Sequence, residues 1–160
     1  MVVEPSSNLI VEDGMYQKIL LAYDGSESGR LALLTCSDVS KLTHAEIFLL
    51  AVTPMTSALF VGEGFIPSDI VQVEQERYRK ILDEGLAQLR QNGFTVSGTL
   101  AFGEPVDEIC QHAKEIAADL IVVGHQHQDS WAARWWRGSV SASLIEHAPC
   151  SVLVSLFNKK

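Results

Sequence analysis

The chain has 160 residues, of which 47% are hydrophobic and 20% charged, a composition that suits one globular domain and excludes a wholly disordered chain. Twenty acidic against twelve basic residues give a formal net charge of -8, and no basic patch is visible, so we expect no nucleic acid as a partner. The longest apolar runs are far shorter than the roughly 20 residues that cross a bilayer, so we expect no membrane contact.

Residues 1–15 are polar and acidic and lack the basic start and apolar core of a secretory signal. We therefore predict a flexible leader over residues 1–15 and a single domain over residues 16–157. The three cysteines are an odd number without metal-ligand spacing, and they favour a reducing, cytoplasmic setting.

The first half of the chain predicts strands and helices in alternation. A buried strand over residues 18–23 ends at Asp24-Gly25-Ser26, and Ser26 is placed to cap a helix whose apolar face repeats with helical spacing. A second buried strand covers residues 46–52. Residues 53–67 contain two prolines and two glycines, which indicates a long loop before a helix from Ser68 to the stop signal at Asn92-Gly93.

The second half continues the alternation. A strand over residues 96–102 leads to a helix that begins at Pro105. Residues 119–123 form the next strand, which we expect to stop at Gly124. Gly138-Ser139 opens a last helix to about His147, and residues 150–156 form a fifth strand. This order predicts an α/β, Rossmann-like fold: a parallel open sheet with helices on both faces.

Open sheets of this kind bind ligands beyond the carboxyl ends of their strands, where the strand order reverses. Three clusters lie at such ends: Ala22-Tyr23-Asp24, Ala51-Val52-Thr53, and Gly124 together with Gly138-Ser139. The free N–H groups at a helix start attract an anion such as phosphate, and Ser139 and Ser141 add hydroxyl donors. For Gly138-Ser139 alone, an ordinary helix cap is the more common explanation.

From Tyr16 to Leu156 the sequence resembles the universal stress protein family. The resemblance rests on the segments KILLAYDGS, GEP, ADLIVVG, GSVS and HAPCSVLV, which together are specific although none is so alone. It implies a five-stranded parallel sheet of order 3-2-1-4-5 and a homodimer joined through the last strand. It also implies, in the nucleotide-binding branch of the family, the glycine motif G-x2-G-x9-G-[S/T].

Carried over to this chain, the motif is incomplete. Gly124 matches its first glycine and Gly138-Ser139 its last pair, but His127 stands where the second glycine is expected, and ten residues separate His127 from Gly138. The resemblance further implies that Asp24 accepts from a ribose hydroxyl and that the backbone of Val52 meets the adenine edge. A turn residue after the first strand explains Asp24 equally well. The complete implied set is Ala22, Tyr23, Asp24, Val52, Gly124, His125, His127, Arg137, Gly138, Ser139, Val140 and Ser141.

The segment 125–137 holds three tryptophans and two arginines. Arg134 and Arg137 suit a phosphate, while the tryptophans are more simply explained by packing on the sheet or on a dimer partner. His125 and His127, with Asp129 beside them, could suggest a metal site, but no cysteine or third histidine lies close by in the sequence, so we predict none. No nucleophile elbow, Walker loop or catalytic Ser/His/Asp order is present, so we do not expect an enzyme.

The sequence thus predicts a cytoplasmic stress-response module that binds an adenine nucleotide, AMP, ADP or ATP, with Mg²⁺ if the ligand is ATP. The alternative is a family member that binds no nucleotide and acts through its dimer or partner surface. Releasing any bound nucleotide by denaturation separates the two.

The altered motif leads to a prediction about phosphate number. The ring of His127 replaces a bare backbone along the phosphate path, so we expect AMP or ADP to bind at least as tightly as ATP. Calorimetric titration with the three nucleotides measures this order. A protein that binds ATP far more tightly than AMP would contradict it.

Overall fold

The computed structural model describes residues 15–54, 68–126 and 140–157, where five strands alternate with four helices. In chain order these elements are β1 Lys18–Ala22, α1 Glu27–Thr43, β2 Glu46–Pro54, α2 Ser68–Gln91, β3 Val96–Gly103, α3 Pro105–Glu115, β4 Leu120–Gln126, α4 Val140–His147 and β5 Ser151–Phe157.

The strands form one sheet in the order β3-β2-β1-β4-β5, and every neighbouring pair is parallel. The predicted α/β architecture and the order 3-2-1-4-5 are confirmed. The order reverses between β1 and β4, because the chain first adds strands on one side of β1 and then crosses to the other. The carboxyl ends of β1 and β4 therefore flank the place where such sheets bind ligands.

Helices cover both faces of the sheet. On one face α1 and α2 bury a core with alternate strand residues such as Ile19, Leu21 and Ile47. On the other face α3 and α4 bury a second core with the intervening residues, among them Leu20, Leu50 and Ile121. Burial on both sides explains why the strands read as almost continuous apolar runs. Within the described ranges, no helix has the length and apolarity that a membrane span requires.

Two strands end two or three residues later than the sequence predicts. β2 continues through Thr53 and Pro54, which pair with Phe102 and Gly103 of β3. β4 does not stop at Gly124, because Gly124 pairs with Ser155 and the next two residues continue the ladder to Phe157. In both cases the partner strand, distant in sequence, extends the pairing past a local stop signal.

Gly124 lies where β4 passes directly beneath the first turn of α1. A Cβ atom at this position would lie 2.1 Å from the carbonyl oxygen of Ser28 and 2.7 Å from the backbone nitrogen of Gly29. Both contacts are with backbone atoms, which cannot rotate away as a side chain can. Glycine at this strand position therefore permits the close approach of helix and sheet.

We expect Gly124→Ala to lower the free energy of unfolding by roughly 1–3 kcal/mol or more, because the added methyl group forces α1 away from the sheet. Urea denaturation followed by circular dichroism measures the loss. Gly93→Asn is the control: Gly93 has a φ of +85° with nothing within 4 Å of a Cβ, and asparagine tolerates this backbone conformation. A Gly124→Ala protein as stable as the Gly93→Asn protein would contradict the packing argument.

Candidate functional site

The central strand of the sheet is shorter than its neighbours at the carboxyl edge. Ala22, the last residue of β1, pairs with Leu50 of β2 and with Val123 of β4. β2 then continues to Pro54 and β4 to Gln126. Two positions beyond Ala22, a longer β1 would fall between Val52 and His125. We call the space beyond Ala22, between Val52 and His125, the notch.

The chain leaves the sheet at the notch through a tight turn. The N–H and the hydroxyl of Ser26 donate to Oδ1 of Asp24, at 3.0 and 2.5 Å, and Gly25 has a φ of +76°. The hydroxyl of Ser26 also accepts the N–H of Gly29 at 3.0 Å and so caps α1. The Asp24 side chain thus directs the chain out of β1 and into α1.

This geometry supports the turn explanation of Asp24 and leaves room for the ligand explanation. Both hydrogen bonds of the turn use Oδ1, and the residue is exposed. Among the described residues, no hydrogen bond to Oδ2 is recorded. One carboxylate oxygen therefore holds the turn, and the other is not needed for it.

The backbone of Val52 lines one wall of the notch. In a parallel ladder, the N–H and C=O of one residue both point toward the same neighbouring strand. The N–H and C=O of the residue two positions later point toward that strand as well. The carbonyl of Leu50 accepts the N–H of Tyr23 at 2.9 Å, so the N–H and C=O of Leu50 and of Val52 both face β1. Because β1 has ended, Val52 presents a donor and an acceptor to the notch.

The side chains of the predicted site divide between the two faces of the sheet. Ala22, Val52 and Val140 pack against the core under α3 and α4. On that same face, Nδ1 of His125 lies 3.4 Å from the hydroxyl of Ser141, a buried residue in the first turn of α4. The contact between His125 and Ser141 cannot be predicted from local sequence, because it depends on β4 continuing past Gly124.

Tyr23 is the exception, because its ring points to the opposite face. The side chain is 3% exposed and belongs to the core under α1 and α2. Two helical glycines make room for it: a Cβ at Gly85 would lie 2.9 Å from Cδ1 of the ring, and one at Gly29 would lie 3.4 Å from Cδ2. At the notch Tyr23 therefore contributes backbone rather than its ring. A glycine inside an otherwise helical pattern is the sequence signal that could have indicated this packing.

Two buried hydroxyls near this edge have no hydrogen-bond partner within the described part of the chain, those of Tyr23 and Thr53.

Tyr78 of α2 lies close enough to Asp24 for the two to interact. Burial raises the pKa of Tyr78, Arg77 lowers it, and Glu74 and Asp24 add to the rise. The phenol of Tyr78 therefore stays protonated at neutral pH and adds no negative charge beside Asp24.

Four residues of the predicted site, His127, Arg137, Gly138 and Ser139, lie outside the described residues. Across residues 15–54, 68–126 and 140–157, no group of three or more His, Cys, Asp or Glu side chains is arranged to hold a metal ion. The described part of the predicted site therefore offers backbone hydrogen-bonding groups, small apolar walls, one exposed carboxylate and the start of α4.

The turn leads to a prediction about stability. Asp24→Ala removes the acceptor of two hydrogen bonds and should lower the free energy of unfolding by about 1 kcal/mol. Asp24→Asn keeps a carbonyl oxygen in the same place and should stay close to the parent protein. Thermal and urea denaturation compare the two variants. Equal stability of Asp24→Ala and the parent would mean that the turn does not depend on this side chain.

Comparison with known proteins identifies relatives along almost the whole chain. The protein-family model described as "Universal stress protein family" matches residues 15–155 of this chain. The universal stress protein YxiE of Bacillus subtilis is 32% identical over 148 residues, which cover 88% of this chain and 99% of YxiE.

Solved structures show the same fold. A protein of the universal stress protein family from Burkholderia pseudomallei superimposes with a TM-score of 0.70 at 29% identity, over 88% of this chain and 96% of that one. A family protein from Arabidopsis thaliana, solved with AMP bound, superimposes with a TM-score of 0.63 at 23% identity, over 89% of this chain and 92% of the other.

Proposed function

Since the chain belongs to the universal stress protein family, we propose that it binds an adenine nucleotide in the notch and acts as a regulatory module in a stress response. A structure with this fold contains AMP, which gives the proposal a chemical precedent at the level of fold. The described residues of this chain supply a physical reason of their own.

The observation that carries the proposal is the backbone of Val52. Its N–H and C=O face the side of the sheet where β1 has already ended. Adenine presents a ring nitrogen acceptor beside an amino donor on one edge, so the two groups of Val52 are complementary to it. A purine has apolar faces, and the side chains of Ala22 and Val52 are suited to pack against them.

The sugar and the phosphate have candidate partners on either side of the base. The exposed carboxylate of Asp24 can accept a hydrogen bond from a ribose hydroxyl. The first turn of α4 provides backbone N–H groups and the positive end of a helix dipole, with Ser141 and His125 beside it. The sequence positions Gly138, Ser139 and Arg137 precede that helix and belong to the proposed phosphate site. These residues suit a nucleotide, and Mg²⁺ enters the proposal only if the nucleotide is ATP.

We assign this site to signalling rather than to rapid turnover. A nucleotide that binds one conformation of the protein more tightly than another shifts the balance between the two conformations. Such a shift is sufficient to change which partner the protein binds. We further propose a cytoplasmic homodimer joined through β5. This strand lies at one edge of the sheet, and Leu156 on it is 54% exposed, so pairing with a second copy would cover an otherwise open edge.

A second candidate function is favoured by two observations. The close approach to α1 is enough to explain Gly124, and the turn with Ser26 is enough to explain Asp24. A member of the family that binds no nucleotide and acts through its dimer surface needs both residues for the same structural reasons. The two candidates differ in one measurable property, which is the presence of a nucleotide site.

The test begins with the purified full chain. We expect denaturation to release an adenine nucleotide, identified by absorbance and mass, or, if the protein purifies empty, AMP to bind with a 1:1 stoichiometry in calorimetry. GMP and CMP serve as the comparison ligands for the base. No released nucleotide together with no heat from AMP, ADP or ATP would establish the second candidate.

Asp24→Asn separates the two roles of this residue. The variant keeps the turn but replaces an acceptor oxygen with an amide nitrogen, so we expect AMP affinity to fall about tenfold, as for the loss of one hydrogen bond to a charged group. Glu27→Gln is the matched control, because Glu27 is an exposed carboxylate in the first turn of α1, three residues away. Equal loss in both variants would indicate a general charge effect, and no loss in Asp24→Asn would leave Asp24 as a turn residue alone.

A further inference from the structure

Two of the three cysteines lie beside the link between α4 and β5, at the end of the fold opposite the notch. Cys110 lies on α3, and its sulfur is 3.6 Å from the carbonyl oxygen of His147, the last residue of α4. Cys150 follows His147 by three residues, just before β5 begins. Both side chains pack against the core under α3 and α4. The link between α4 and β5 therefore brings Cys150 back toward the sulfur of Cys110.

The titration of the two thiols supports this proximity. Burial raises the pKa of Cys150, and the neighbouring Asp119 and Cys110 raise it further. Burial also raises the pKa of Cys110. Lys114 lowers this pKa in part, and Asp107 raises it further. The effect of Cys110 on the pKa of Cys150 agrees with the position of Cys150 in the link that follows His147. Cys36 differs from both: it is fully buried under α1, and burial raises its pKa to about 12.

We propose that Cys110 and Cys150 form an intramolecular disulfide when the protein meets a peroxide. Cys150 is the partly exposed member of the pair and meets the oxidant first, whereas Cys110 is 9% exposed and resolves the reaction from within. All three thiols are free in the reduced protein.

The reaction balances in two steps. The thiolate of Cys150 attacks one oxygen of hydrogen peroxide, the O–O bond breaks, and a sulfenic acid and hydroxide form. The thiolate of Cys110 then attacks the sulfur of Cys150, the S–S bond forms, and the S–O bond breaks with loss of a second hydroxide. The two thiol protons convert both hydroxides to water. Two electrons pass from the sulfurs to the peroxide, and a dithiol reductant reverses the change.

The raised pKa values set the speed of this reaction. Only the thiolate reacts. As long as the pH lies below the thiol pKa, the thiolate fraction grows about tenfold for each unit by which the pH rises. Oxidation is therefore slow at neutral pH and faster in mildly alkaline solution. The disulfide ties α3 to the start of β5 and closes a loop that contains β4 and α4. Because a closed loop restricts the unfolded chain, the oxidised protein should unfold at a higher temperature.

The test treats the reduced full chain with hydrogen peroxide at neutral and at mildly alkaline pH, removes the peroxide, and then unfolds the protein in denaturant with an alkylating agent present, so that buried thiols also react. We expect a monomer that has lost two hydrogens and carries one alkyl group, on Cys36. Proteolysis and mass spectrometry should yield a peptide that joins Cys110 to Cys150, formed faster at the alkaline pH. Dithiothreitol should restore three alkylation sites.

Serine variants provide matched controls. Cys36→Ser should still form the cross-link, while Cys110→Ser and Cys150→Ser should not. The wild-type peptide map needs no variant, so it decides the matter even if a variant folds poorly. A sulfinic acid on Cys150 without a cross-link, a disulfide between two chains, or a pair that includes Cys36 would each overturn the proposal.

Discussion

The early end of β1 is the feature on which the candidate site depends. In the register of the sheet, β2 runs four residues beyond the partner of Ala22 and β4 runs three residues beyond its own. The turn at Asp24-Gly25-Ser26 causes the difference, because the Asx hydrogen bonds and a glycine with positive φ divert the chain into α1. Without that diversion a longer β1 would pair with Val52 and His125 and fill the notch.

The turn also requires space on the neighbouring strand. Once the chain enters α1, the first turn of that helix comes to lie on β4, where only a residue without a Cβ permits the contact with Ser28. The ring of Tyr23 then fills the gap between α1 and α2, against Gly29 and Gly85. The residues that shape the notch are therefore also residues that pack the core, so substitutions here have to be tested for stability as well as for affinity.

Much of this arrangement could be predicted from the sequence, and the failures have a common cause. Alternating buried strands and amphipathic helices gave the α/β class, and the family resemblance gave the strand order. The ends of β2 and β4 were misplaced because pairing with β3 and β5 outweighs the local signals at Thr53 and Gly124. Likewise, nothing local reveals that His125 meets Ser141 sixteen residues later.

The account can be tested most directly by following the backbone amides of the isotopically labelled protein in NMR spectra as AMP is added. Binding in the notch predicts that the largest shifts cluster at Ala22 to Asp24, at Val52, at His125 and in the first turn of α4, with the amide of Val52 moving downfield as it donates to the base. The amides of β3 and those of Cys110 and Cys150 themselves should stay in place. Spectra that do not change at saturating AMP, or shifts centred away from the carboxyl edge of β1, would contradict the central claim.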